Sequence, residues 1–198
     1  MATASLYPVQ LTVDYPDRAL NRLSTFFRIF AVIPIAIIIG LLIGSGGYSY
    51  GAGFVVVPTL LMLLFRQKYP RWWFDWNLAL TEFSYRVSVY ILLLRDEYPS
   101  TDEEQAVHVH IAYPDATELN RWLPLVKWLL AIPHYIVLIV LGLATLVCTV
   151  IAWFAILFTG VYPRGLFDFV VGVNRWSLRV RAYAFLLVTD QYPPFQFE

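Results

Sequence analysis

The sequence predicts a mainly α integral membrane protein of two tandem repeats, each a short β-strand, a transmembrane helical hairpin and an amphipathic interfacial helix. Three observations carry that expectation. Motifs recur at a nearly fixed offset, two long stretches lack any charged residue, and polar residues outside those stretches fall at helical spacing. Of the 198 residues 59% are hydrophobic, 17% aromatic and only 14% charged, with mean hydropathy +0.62, far more apolar than an average soluble domain.

Tyr15-Pro16-Asp17 returns as Tyr113-Pro114-Asp115, Leu20-Asn21-Arg22 as Leu119-Asn120-Arg121, and Ile33-Pro34 as Ile132-Pro133. Later, Tyr69-Pro70-Arg71 with Phe74-Asp75 matches Tyr162-Pro163-Arg164 with Phe167-Asp168, and Ser84-Tyr85-Arg86-Val87 matches Ser177-Leu178-Arg179-Val180. The offset falls from 98 or 99 to 93 or 94. A tandem duplication with one shortened loop accounts for this, with a first repeat at 1–105 and a second at 106–198.

Each repeat opens on a strand. Val9-Gln10-Leu11-Thr12-Val13-Asp14 and Val107-His108-Val109-His110-Ile111 alternate apolar and polar residues, and each ends near a Tyr-Pro. They are expected to pair, since an isolated strand leaves its backbone groups unmet. Asp17 and Asp115 follow as candidate helix N-caps, the second with Glu118 three residues on.

The embedded segments come next. The 37 residues between Arg28 and Arg66, and the 36 between Lys127 and Arg164, contain no Asp, Glu, Lys or Arg. One crossing needs about 20 residues, so each run is one overlong helix or two short ones. The glycine-rich segment 44–53 breaks the first run and Gly142 marks the corresponding point in the second. Two hairpins follow, 20–44 with 54–67 and 120–141 with 143–160. Their arms either cross the bilayer or dip into one leaflet and return. Both ends of each hairpin then emerge on one side, which the gathered Lys and Arg make cytoplasmic.

The last element of each repeat is helical. Arg71, Asp75, Glu82 and Arg86, and likewise Arg164, Asp168, Arg175 and Arg179, are spaced by four, seven and four, one stripe of a helix over 71–94 or 164–187. Dense aromatic residues around the stripe fit a helix at the headgroup boundary, and burial against the hairpins is the competing arrangement. Six of the seven tryptophans, Trp72, Trp73, Trp76, Trp122, Trp128 and Trp176, lie near the charged side, as an aromatic belt does. The acidic segment 95–105 joins the repeats.

The pattern resembles a bacterial membrane family known as a domain of unknown function, number 4389. The resemblance rests on the strand ending in Tyr-Pro, Leu-Asn-Arg before the first span, and Ile132-Pro133-His134. Its main support is Ala152-Trp153-Phe154-Ala155-Ile156-Leu157-Phe158-Thr159-Gly160 running into Tyr162-Pro163-Arg164-Gly165-Leu166-Phe167-Asp168-Phe169. It continues through Arg175-Trp176-Ser177-Leu178-Arg179-Val180 to Asp190-Gln191-Tyr192-Pro193-Pro194-Phe195, nearly the whole chain. It implies a small polytopic bacterial membrane protein and transfers no catalytic residue; the distribution of Lys and Arg is what places both termini on the cytoplasmic side of the inner membrane.

Zero formal charge and the lack of a long basic tract argue against nucleic acid as partner. Cys148, the one cysteine, excludes an internal disulfide. His108 and His110 share a strand face without an evident third metal ligand, and His134 in an apolar run is a weak candidate for a haem or pigment; no cofactor is assigned. Gly-rich phosphate loops, GxSxG and HExxH are absent from the sequence. The expectation is a non-enzymatic accessory or scaffold subunit of a larger membrane complex, or a homo-oligomer. It would bind lipid headgroups and partners through Arg71, Trp72, Trp73, Trp76, Arg86, Arg164, Arg175, Trp176, Arg179 and Arg181. The alternative is a small channel or transporter between the repeats.

Overall fold

The computed structural model describes residues 7–43 and 50–197. Strands β1 (Val9–Val13) and β2 (Val107–Ile111) pair antiparallel, with Leu11 opposite Val109 and Val9 opposite Ile111. Val9, Leu11, Val107 and Ile111 turn one face into the core, while His108 and His110 stay exposed on the other. A two-stranded ribbon is marginal alone. It is covered here by α4 (Arg71–Ile91) and α7 (Arg164–Arg181).

The helices start where the second residue of each Leu-Asn-Arg stands, not at the aspartates. Asn21 caps α1 (Arg22–Phe26), its side chain accepting from the Ser24 amide at 3.1 Å. Asn120 accepts from the amides of Trp122 and Leu123 ahead of the 3-10 turn Leu123–Leu125 and the short α5 (Lys127–Leu130). Asp115 instead folds a local turn, accepting from the amide and hydroxyl of Thr117. In a competition among short polar side chains, the one beside the first free amides takes the cap.

The expected membrane hairpins are corrected. In the second half the chain runs without a break as α6 (Ile132–Thr159), 28 residues or about 42 Å. A lone glycine costs a helix only about 1 kcal/mol, too little to bend one with this apolar content, so Gly142 stays helical. The helix ends at Gly160, whose left-handed φ of 77° a side chain would strain. In the first half, α2 (Arg28–Ile43) and α3 (Tyr50–Arg66) are separate, and the expected glycine-rich turn falls mainly at 44–49, outside the described residues. Their apolar stretches, 28–40 and 56–66, reach only about 20 and 17 Å against a hydrocarbon core of about 30 Å. Among the described residues α6 alone is long and apolar enough to cross a membrane, which overturns the expectation of two transmembrane hairpins.

The two aromatic helices also pack into the body instead of lying free along a boundary, and only their starts keep a run of exposed residues. In α7 the side chains of Phe167, Val170, Trp176, Leu178, Arg179 and Val180 are buried, between β1, α6 and the C-terminal tail. The tail lies so close that a Cβ on Gly172 would meet the Phe197 side chain at 2.8 Å. In α4, Trp73, Phe74, Phe83, Tyr85, Val87 and Val89 are buried as well. Their narrow polar stripes permit this because Glu82, Arg86, Arg175 and Arg179 bond within the protein while Arg71, Asp75, Arg164 and Asp168 stay exposed at the helix starts.

Two glycine substitutions test the continuous helix. Gly142→Ala, with nothing within 4 Å of the new Cβ, is expected to raise stability by about 0.5–1 kcal/mol, whereas a turn there would make it destabilising. Gly160→Ala is expected to cost about 1 kcal/mol or more, because φ is positive and the Cβ would press on Ala19 at 3.4 Å. Denaturant unfolding in mild detergent reads both.

Candidate functional site

Contacts made by one half recur, residue for residue, in the other. The Tyr15 hydroxyl donates to the Tyr162 carbonyl at 2.6 Å, and the Tyr113 hydroxyl donates to the Tyr69 carbonyl at 2.5 Å. Arg164 stacks over Tyr15 at 4.4 Å, and Arg71 over Tyr113 at 4.8 Å. Tyr15 meets Phe167 edge-on at 5.0 Å, and Tyr113 meets Phe74 at 5.1 Å. Each bond runs from one half to the other, so the halves are clasped reciprocally.

A second pair of contacts anchors the starts of the apolar helices. Lys127, fully buried, donates to the Thr189 carbonyl at 2.8 Å, pairs with Asp190 at 2.7 Å and lies 5.2 Å from the Tyr183 ring. Arg28, also buried, donates to the carbonyls of Arg95 and Tyr90 and stacks 4.0 Å over the Tyr90 ring. Asp190 accepts from the Asn120 amide, and Asp96 from the Asn21 amide. Burial lowers the pKa of both cations, while Asp190 pulls that of Lys127 back up and Tyr90 and Asp96 do the same for Arg28.

The ten residues expected to bind headgroups or partners do not form one surface. Arg71, Trp72, Trp76 and Arg164 are exposed, with Arg71 held to Asp75 at 3.1 Å. Trp73 is buried, stacked on Trp76 and donating to Thr59 at 2.8 Å. Arg86 reaches inward to Glu82 and the Ser100 carbonyl. Arg175 donates to the carbonyls of Leu11 and Phe197, and buried Arg179 to that of Gln196. Burial, then the like charge of Arg175, lowers the pKa of Arg179. Arg181 is half-buried, near Tyr85. The sequence gives no sign of these tail carbonyls, because a backbone acceptor carries no residue signature.

His134 is fully buried, its Nδ1 accepting from the Trp176 indole at 3.0 Å and its ring stacked on Phe195 at 4.0 Å. An accepting Nδ1 makes Nε2 the protonated nitrogen, so this arrangement offers a metal no free lone pair. His108 sits 3.5 Å from Asp14, and among the described residues no cluster of three His, Cys, Asp or Glu could hold a metal ion.

Among the described residues an extended surface is apolar. Along α6 an inner stripe of His134, Leu138, Leu141, Thr145, Cys148, Ala152 and Ile156 faces the body. The outer stripe of Ile136, Ile139, Val140, Leu143, Leu146, Val147, Val150, Phe154 and Phe158 is at least half exposed. Only 11% of its most apolar window is buried, where a core helix would be mostly buried. Phe26, Phe27, Ile29, Phe30, Ile33 and Ile37 are exposed as well, over α1 and α2, and a gathering of exposed apolar side chains marks an interaction surface.

The stretch from Trp122 to Gln196 carries α6, the Lys127 anchor, the His134–Trp176 bond and the tail. Residues 122–196 match the model of a family described as a domain of unknown function, DUF4389. The match covers the second half, whereas the resemblance read from the sequence ran over nearly the whole chain. No curated protein and no solved structure matches the chain.

Asp190→Asn is expected to cost about 3 kcal/mol, because it strands the buried Lys127 charge, whereas Lys127→Met removes both the charge and its desolvation cost and is milder. Unfolding midpoints of the two variants check the order. Burial raises the pKa of Tyr69 and Tyr162 above the ordinary 10.0. The stability this gives is present in full below pH 10 and is lost as the unfolded chain ionises above it, so denaturant midpoints should fall from about pH 10 upward.

Proposed function

We propose that this protein is a non-catalytic membrane-seated scaffold, an accessory subunit that rests in one leaflet through the outer stripe of α6 and the exposed faces of α1 and α2. The observation that carries the reading is that both ends of α6 are bonded to the same body. At its start Lys127 and His134 tie to Thr189, Asp190 and Trp176; at its end the Gly160 carbonyl accepts from the Leu20 amide at 2.8 Å. A helix crossing the bilayer would put those ends on opposite sides, and the body between them carries Arg164, Asp168 and Arg175 on α7. A helix laid along the surface leaves them hydrated and sinks its apolar stripe.

Arg71, Trp72, Trp76 and Arg164 are the headgroup contacts in this reading, being both exposed and of the right chemistry. Arg28, Lys127, Arg175, Arg179 and His134 each make at least one internal hydrogen bond, which supports a structural use over a catalytic one. The reciprocal clasp supports reading 1–105 and 106–198 as tandem copies of one unit. The membrane is taken to be the bacterial inner membrane with both termini cytoplasmic, from the family resemblance and the gathering of Lys and Arg on the body.

Flotation with vesicles of phosphatidylcholine and phosphatidylglycerol tests the seat. The wild type is expected to float with the vesicles, and Leu143→Glu with Val147→Glu to reduce co-flotation about tenfold or more without lowering the unfolding midpoint. Unchanged flotation of that double variant would refute the seat.

A further inference from the structure

Between α1, α2, the end of α4 and the middle of α6 lies an open apolar cavity of about 530 Å³, within the range that takes a small ligand. Arg28 is its only ionised lining residue. The other polar hydrogens at the wall are already engaged in hydrogen bonds. Thr25 donates to the Asn21 carbonyl, Thr149 to the Thr145 carbonyl, and the Trp153 indole to the Thr25 carbonyl. The Arg28 Nε–H has no acceptor, although the side chain is buried.

Charge makes the case sharper. Lys127, in the corresponding place of the second half, has its carboxylate at 2.7 Å. Asp96, which corresponds to Asp190, is turned to Arg18 at 3.1 Å, and among the described residues no carboxylate lies within 4.0 Å of the Arg28 guanidinium. Asp96 acts on Arg28 only from a distance, and a buried cation that no carboxylate touches and that borders an open apolar cavity is poised for an anion that brings its own apolar chain. Leu146 and Val150, on the cavity wall, belong also to the outer stripe of α6, so the cavity opens onto the face proposed to meet lipid.

We infer that this cavity is a binding site for one anionic phospholipid of the surrounding leaflet, its headgroup phosphate against Arg28 and one acyl chain lying between α2 and α6. The site rests on the membrane seat proposed above and adds a selectivity that the seat alone does not require. Protein reconstituted in vesicles of equal phosphatidylcholine and phosphatidylglycerol, extracted in detergent and delipidated, is analysed by native mass spectrometry. The wild type should retain a single phosphatidylglycerol per chain, enriched about tenfold over phosphatidylcholine, whose phosphate could accept the same bond but whose choline cation would be brought beside the Arg28 charge. Val150→Trp, which narrows the cavity beside α6 and leaves the Arg28 bonds alone, should reduce the retained lipid while still floating with vesicles. Arg28→Gln should keep a lipid but lose the anionic preference.

Equal retention of both lipids by the wild type, recovery of a free fatty acid in their place, or retention undiminished in Val150→Trp would each overturn the site. A wild type that floats but retains nothing refutes the site alone. A wild type that fails to float refutes the seat on which it rests.

Discussion

Everything in this fold depends on fastening an uncharged 28-residue helix to a charged body at both of its ends. Lys127 does this at the start of α6 through the Thr189 carbonyl and Asp190, and the Gly160 carbonyl does it at the end through Leu20. Between those points the inner stripe packs on the body, and the outer stripe has nothing of the protein to cover it. Geometry therefore sets the helix lengthwise along the body. The hydrophobic effect then requires an apolar neighbour for its far side.

The basic residues make that arrangement affordable in the low-dielectric interior. Arg175 and Arg179 are placed against carbonyls of β1 and the C-terminal tail, which closes the tail over α7 and satisfies groups that would otherwise be buried bare. Arg28 and Lys127 hold the last carbonyls behind α4 and α7, each beside a tyrosine ring. The reciprocal bonds of Tyr15 and Tyr113 then lock one half onto the other. Cations here act first as fasteners, and the exposed Arg71 and Arg164 double as stacking partners for those same tyrosines.

Much of this was legible in the residues. The alternation at 9–13 and 107–111 located both strands, and the Tyr-Pro-Arg motifs located the starts of α4 and α7. What misled was Gly142, whose equivalence to the glycine-rich first copy suggested a turn, although a single glycine cannot outweigh an uninterrupted run of helix-compatible apolar residues. The polar stripe of α7 suggested a headgroup face because periodicity reports which residues share a side and not what lies against that side. Its partners, Leu11 and Phe197, stand 164 and 22 residues from Arg175 and engage through backbone oxygen. The Arg28 and Lys127 anchors did leave a trace: both open a charge-free run, and Asp96 and Asp190 recur at the later offset.

The lengthwise seat of α6 is tested most directly by the depth of its outer stripe. Nitroxides placed singly at residues 136, 140, 143, 147, 150 and 154, on a Cys148→Ser background in vesicles, report depth through their relative accessibility to oxygen and to a water-soluble nickel chelate. A helix lying along the surface gives one nearly constant depth at all six positions. A depth that climbs to the bilayer centre near residue 146 and falls again toward the opposite side would show that α6 crosses, and would contradict the account.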